Sequence, residues 1–224
     1  VAELLPRIDR FSLIGSGAED SFKPGGSAMK EVLPGVLHWT RLHPKIKLEV
    51  SSYYLVEERV LIDATIPEQG VEAFPTRPEH VLLTNRHHYR DSEKLRETFQ
   101  CTVRCVDKGM HEFGEGQAVE PFAFGDILAG GIQALEVDVL CPDETALLIP
   151  RGEGILAVAD GLVRMGDGPL GFVPDAYMGD DPESVKAGLK QAYGRLLDRQ
   201  FDHLLLAHGL PWIGGGKQAL RQFV

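Results

Sequence analysis

Two histidines stand side by side at positions 87 and 88, in a stretch that reads LLTNRHHYRDS over residues 82–92. Asn85, the chain's only asparagine, lies two positions before the first of them. Imidazole changes charge near neutral pH and is a frequent ligand for zinc and other transition metals. Carboxylates that could join it follow apolar runs elsewhere: Asp63 after VLI, Glu144 in CPDET, and Asp160 after LAVA. His208 follows LLLA. Imidazoles and carboxylates brought to one point can hold a divalent cation that activates water, or can move protons without one.

Convergence of such distant residues depends on the elements that carry them. Strand-like runs, rich in β-branched and aromatic residues and separated by charged or Pro/Gly punctuation, occupy 35–42, 48–56, 59–65, 80–85 and 102–106. A second set covers 131–140, 145–152, 154–163 and 202–209. Residues 90–100 read as a helix capped by Asp91 or Ser92, with Leu95 and Phe99 on one face. Residues 182–200 read as a longer helix with Pro182 in its first turn, and the chain closes on a short helix. The strand-then-helix grammar occurs twice, with no exact repeat and no linker dividing the chain. The chemistry-bearing residues all fall at strand ends, where ligands are commonly met.

Bulk properties exclude several classes. The 224 residues are 43% hydrophobic and 25% charged, which suits a sizeable globular core. A net charge of −10 argues against nucleic acid as a partner. No apolar run is long enough to span a membrane. Three cysteines, Cys101, Cys105 and Cys141, form no C-x-x-C pair and suit a reducing compartment; with no convincing signal peptide, the expectation is a cytoplasmic protein. GGGK at 214–217 is no phosphate loop, because Pro211 and Gln218 stand where that pattern needs glycine and Ser or Thr. His111–Glu112 reads as a surface pair.

Taken together and in order, these strand ends resemble the metallo-β-lactamase-fold superfamily, from about residue 32 to the end of the chain. The resemblance implies an α/β fold, an αββα sandwich of two mixed β-sheets with helices on the outer faces. It implies one domain over 1–224, with 1–31 as an N-terminal extension packed on or beside it. In the signature T-H-x-H-x-D-H, Thr84 matches the threonine and His87 the second histidine. Asn85, Tyr89 and Arg90 replace the first histidine, the aspartate and the last histidine, and His88 falls on a spacer. Glu144 takes the place of the histidine in the Pro-Gly-His-Thr turn, between Pro142 and Thr145. Asp160 matches the bridging aspartate and His208 the last histidine.

A two-metal hydrolase needs about six or seven ligands, and only His87, Asp160 and His208 remain in kind. The expectation is therefore a degenerate centre: catalytic-type residues His87, Asp160 and His208 in a cleft also lined by Asp63, Asn85, Tyr89, Arg90 and Glu144, with no metal or other cofactor. A single divalent ion such as zinc, held by His87, Glu144 and Asp160, is the alternative. Arg90 is expected to pair with Asp160 in place of the second ion, since buried carboxylates need a balancing charge. Singly, each residue also has a structural reading: Asp160–Gly161 is a turn signal, and Asp63 suits a buried backbone organiser. Three functions stay open: a small-molecule or partner-binding cleft, a one-metal hydrolase of an ester, thioester, lactone or phosphoester, and an interaction protein without ligand. Whether the chain is an enzyme, whether it forms a homo-oligomer, and whether loop 164–181 covers the cleft are left open by the residues.

Overall fold

The structure is a computed structural model and describes residues 26–224; most of the expected N-terminal extension lies outside the described residues. The first sheet takes seven strands in chain order: β1 (Lys30–Leu33), β2 (Val36–Leu42), β3 (Glu49–Leu55), β4 (Val60–Ile62), β5 (His80–Leu82), β6 (Thr102–Val106) and β7 (Val119–Phe122). β1 to β4 pair antiparallel as hairpins. β4 to β7 pair parallel, joined by crossovers, one of which carries helix α1 (Ser92–Phe99). The second sheet takes β8 (Gln133–Glu136), β9 (Thr145–Ile149), β10 (Ile155–Val158) and, parallel to β10, β13 (His203–Leu206). A small hairpin of β11 (Val163–Arg164) and β12 (Leu170–Gly171) follows β10. Helix α2 (Pro182–Leu196) precedes β13, and α3 (Gly216–Phe223) follows it.

Period-two alternation explains the layers. Tyr53, Leu55, Ile62 and Leu82 of the first sheet face Ala134, Leu147, Ile155, Ala157 and Leu205 of the second and fill the space between them. Their neighbours point the other way. Tyr54, Leu61 and Val81 pack outward with Leu95 of α1, while Leu156, Val158, Leu204 and Leu206 pack with Leu189, Ala192 and Tyr193 of α2 and Leu220 of α3. Each such fully buried aliphatic contributes about 1.5–3 kcal/mol. The result is the expected sandwich of two mixed sheets between helical layers.

Several boundaries differ from the sequence reading. Lys30 and Glu31, assigned to the extension, begin β1, and Ser27 donates its N–H to the Thr40 hydroxyl beside β2. β7 was not expected, because Pro121 breaks its pattern; proline is tolerated there because β7 is an edge strand. β8 ends at Glu136 rather than residue 140, since the N–H groups of Val137 and Asp138 both turn to the Glu144 carbonyl. In loop 164–181, Phe172 packs on Phe223 of α3 with ring centroids 4.6 Å apart, so this side chain is tied to the outer layer. Among the described residues no helix is long and apolar enough to cross a membrane.

Candidate functional site

The carboxyl ends of β4, β5, β10 and β13 meet at one edge of the sandwich. Asp63 directly follows β4 with a left-handed backbone, φ 47°. Its carboxylate is buried and accepts from the Thr84 N–H at 2.8 Å, the Thr84 hydroxyl at 2.6 Å and His88 Nδ1 at 2.9 Å. Burial pushes its pKa up, but the His88 charge and hydrogen bond, with Arg90 and Thr84, outweigh that and hold it below the usual value. It is the buried organiser its position suggested.

Asn85 starts the next turn. Its side-chain oxygen accepts from the His87 N–H at 2.9 Å, capping a short 3₁₀ turn over Arg86–His88. Successive side chains in such a turn are about 120° apart, so adjacent histidines cannot point the same way. His88 takes the inward direction. Its Nδ1 meets Asp63 and its Nε2 meets Asp160 Oδ1 at 3.0 Å. Burial lowers the pKa of this ring, but the two carboxylates dominate and raise it to about 9. His88 is therefore an imidazolium clamped between two carboxylates at neutral pH.

Asp160, after β10, gathers the cluster. Oδ1 accepts from His88 and also from His208 Nε2 at 3.0 Å, and Oδ2 accepts from Asn85 Nδ2 at 2.9 Å. Burial opposes its charge, yet the His88 charge and the His208 and His88 hydrogen bonds hold its pKa well below the usual value. His208 leans on the first sheet through Nδ1, 3.4 Å from the Glu49 carbonyl.

Arg90 also lies at this edge, but not where it was expected. Its Nη1 donates to the Ser51 and Asp63 carbonyls, and no Arg90–Asp160 pair forms. Asp160 has no need of it, because His88, His208 and Asn85 already supply three donors. Arg90 Nη2 is buried with no acceptor. Even without direct contact its charge counts: Asp63 and Asp160 supply two negative charges, and His88 and Arg90 two positive ones.

Glu144 lies behind Asp160. Its oxygens accept from Gly161 N at 2.7 Å, Leu140 N at 3.2 Å and the Tyr193 hydroxyl at 3.3 Å, so it faces the fold interior. Burial, reinforced by Asp160, raises its pKa to about 7 against the pull of those N–H groups.

The sequence-derived set therefore needs correction at four places. His87 is replaced by His88, for the rotational reason given above; the charges bearing on His87 are those of Arg86, Glu112, Asp143 and His88, and burial lowers its pKa. Tyr89 packs its ring 5.7 Å from Phe113, among the residues of the outer layer. Arg90 holds backbone carbonyls rather than Asp160. The alternative metal set of His87, Glu144 and Asp160 does not assemble; the group with metal-ligand reach among the described residues is His88, Asp160 and His208, whose donor atoms lie within 4.8 Å of one another. Two further residues escaped the sequence reading. Asp143, fully buried, accepts from the Arg86 N–H at 2.6 Å and pairs with its guanidinium, bolting this turn to the one before β9. The pKa of His43, at the β2–β3 hairpin, is lowered by burial and then by the charges of Arg90, Lys45, His88 and His208.

This arrangement does not fit a two-metal centre. At the signature positions stand an amide that caps a turn, a tyrosine turned to another layer and a guanidinium fixed on carbonyls; Glu144 is engaged by N–H groups and a hydroxyl. The three donors of His88, Asp160 and His208 fit at most one ion.

No family model matches the sequence, and no curated protein matches it. Solved structures do match. A B3 metallo-β-lactamase with an active-site glutamic acid shares 15% identity at TM-score 0.62, over 89% of this chain and 87% of that one. A metallo-β-lactamase family protein from Thermus thermophilus shares 17% at TM-score 0.60, over 86% and 79%. A flavoprotein from Thermotoga maritima shares 16% at TM-score 0.64, over 91% of this chain but 61% of that one. The chain has the metallo-β-lactamase fold.

Proposed function

We propose that the chain is a binding protein of this fold, taking a small molecule in the cleft at the ends of β4, β5, β10 and β13. The protein's own charges hold that cleft in shape. The observation that carries the reading is the environment of Asp160: three donors satisfy the carboxylate that would bridge two metals in the family, and one of them, His88, is a cation. Buried carboxylates persist only when paired and hydrogen-bonded, and His88 with Arg90 meets that need for Asp63 and Asp160. A thermal-shift screen of small molecules on the parent and on His208→Ala tests it. A cleft ligand raises the parent's melting temperature by mass action and shifts the variant less. A screen with no shift, or with shifts the same in both proteins, refutes it.

A second reading rests on the proximity of His88, Asp160 and His208. One divalent ion there would be held by two imidazoles and a carboxylate, with Asp63 fixing the His88 ring through Nδ1, as outer carboxylates commonly do for metal-bound histidines. The ion would supply a polarising charge for hydrolysis of an ester, thioester, lactone or phosphoester. The charge balance favours the first reading, since an ion added beside Arg90 leaves the cluster positive unless an anion enters with it.

A further inference from the structure

Seven large apolar side chains are exposed among the described residues, and four of them stand on segments that border the cleft: Leu42, Leu48, Met165 and Leu210. Leu42 and Leu48 flank the β2–β3 hairpin, whose Glu49 carbonyl faces His208 Nδ1. Leu210 comes two residues after His208. Met165 follows Arg164, which bridges to Gly209 and takes the His208 carbonyl on its N–H. β3 begins, and β4, β10 and β13 end, at this edge, so these segments stand beside the polar cluster of His88, Asp160 and His208.

Charge adds a second observation. On a chain of net charge −10, the same hairpin carries Arg41, Lys45 and Lys47, none of which forms an ion pair among the described residues. The acidic groups on these segments are Glu49 and Asp167. Deeper in, Arg90 Nη2 is a buried donor lacking an acceptor. A polar cluster with one unfilled cationic donor, beside an apolar rim with local positive charge, matches one shape of ligand.

Resting on the cleft-binding reading above, we infer that the ligand is an anionic amphiphile: a carboxylate or phosphate head directed to Arg90, and an alkyl chain leaving across Leu210, Met165, Leu42 and Leu48. Arg41, Lys45 and Lys47 steer the anion toward the cluster. A fully buried methylene improves affinity about fourfold; on a rim these side chains only half enclose, the gain is at least about twofold per methylene.

Calorimetric titration with straight-chain carboxylates of four to ten carbons, and with the matching alkyl phosphates, tests this on three proteins: the parent, Leu42→Asp/Leu210→Asp and His208→Ala. Affinity should rise with chain length in the parent, and whichever series binds more tightly identifies the head. The rim double variant, which alters exposed positions and should melt like the parent, should lose the length dependence. His208→Ala should weaken every member alike. No binding, or binding independent of length, overturns the amphiphile; so does a rim variant with the length dependence intact. Length-independent binding that His208→Ala abolishes overturns the amphiphile alone and leaves the cleft reading standing. Length-dependent binding untouched by His208→Ala puts the ligand outside the cleft and overturns both.

Discussion

At the scale of single residues, the site is a charge balance with a pH signature. His88 is raised from 6.5 to about 9, so its contribution to stability is complete below pH 6.5 and is lost as pH rises through 9. Glu144 is raised from 4.5 to about 7, so keeping it buried costs stability increasingly as pH rises from 4.5 to 7. Both effects run the same way, each on the order of 3 kcal/mol over its window. Asp63 and Asp160 are lowered; their contribution is present above pH 3.8 and is lost as pH falls. Urea denaturation across pH should therefore show maximum stability near pH 4–6, falling on the alkaline side. Glu144→Gln should flatten the segment between 4.5 and 7, and a stability maximum above pH 8 would contradict these assignments. Arg90→Ala leaves Asp63 short of a countercharge and frees two buried carbonyls, and should cost about 3 kcal/mol at neutral pH. A variant as stable as the parent would show that the guanidinium is dispensable.

At the scale of elements, the turn after β5 decides which histidine matters, and this was not legible in the sequence. The spacing of the family signature put His88 on a spacer and His87 in the site. One amide, Asn85, tightens the turn to 3₁₀ and rotates His88 inward. Arg90's role was half legible: a cation was needed, but its acceptors are the Ser51 and Asp63 carbonyls, which no side-chain pattern announces. Asp63, Asp160 and His208 were readable because each ends an apolar run and faces the edge where those runs stop. Asn85→Ala removes the turn's cap and one donor to Asp160, and should lower stability by about 1–2 kcal/mol while weakening cleft ligands, read by denaturation and titration. Gly209 makes a parallel point: its φ is +99°, and a Cβ there would fall 1.6 Å from the Arg164 carbonyl oxygen. Gly209→Ala should cost at least about 2 kcal/mol and displace β11 from His208; a variant with unchanged melting would mean the β11 contact is not fixed.

At the scale of the whole molecule, the layered architecture was largely legible, because inward and outward residues alternate along Glu49–Leu55, Ile155–Val158 and His203–Leu206 and so require apolar layers on both faces of each sheet. Hydrogen bonds among residues of β3 and the ends of β4, β10 and β13 tie the two sheets together around the cluster. The most direct test is elemental analysis of protein purified without chelator, together with its melting temperature before and after EDTA at neutral pH. The charge-balanced cleft predicts far less than one transition-metal ion per chain and a melting temperature that EDTA leaves unchanged. One or two ions per chain, with melting that falls on chelation and recovers on adding the metal, would contradict it.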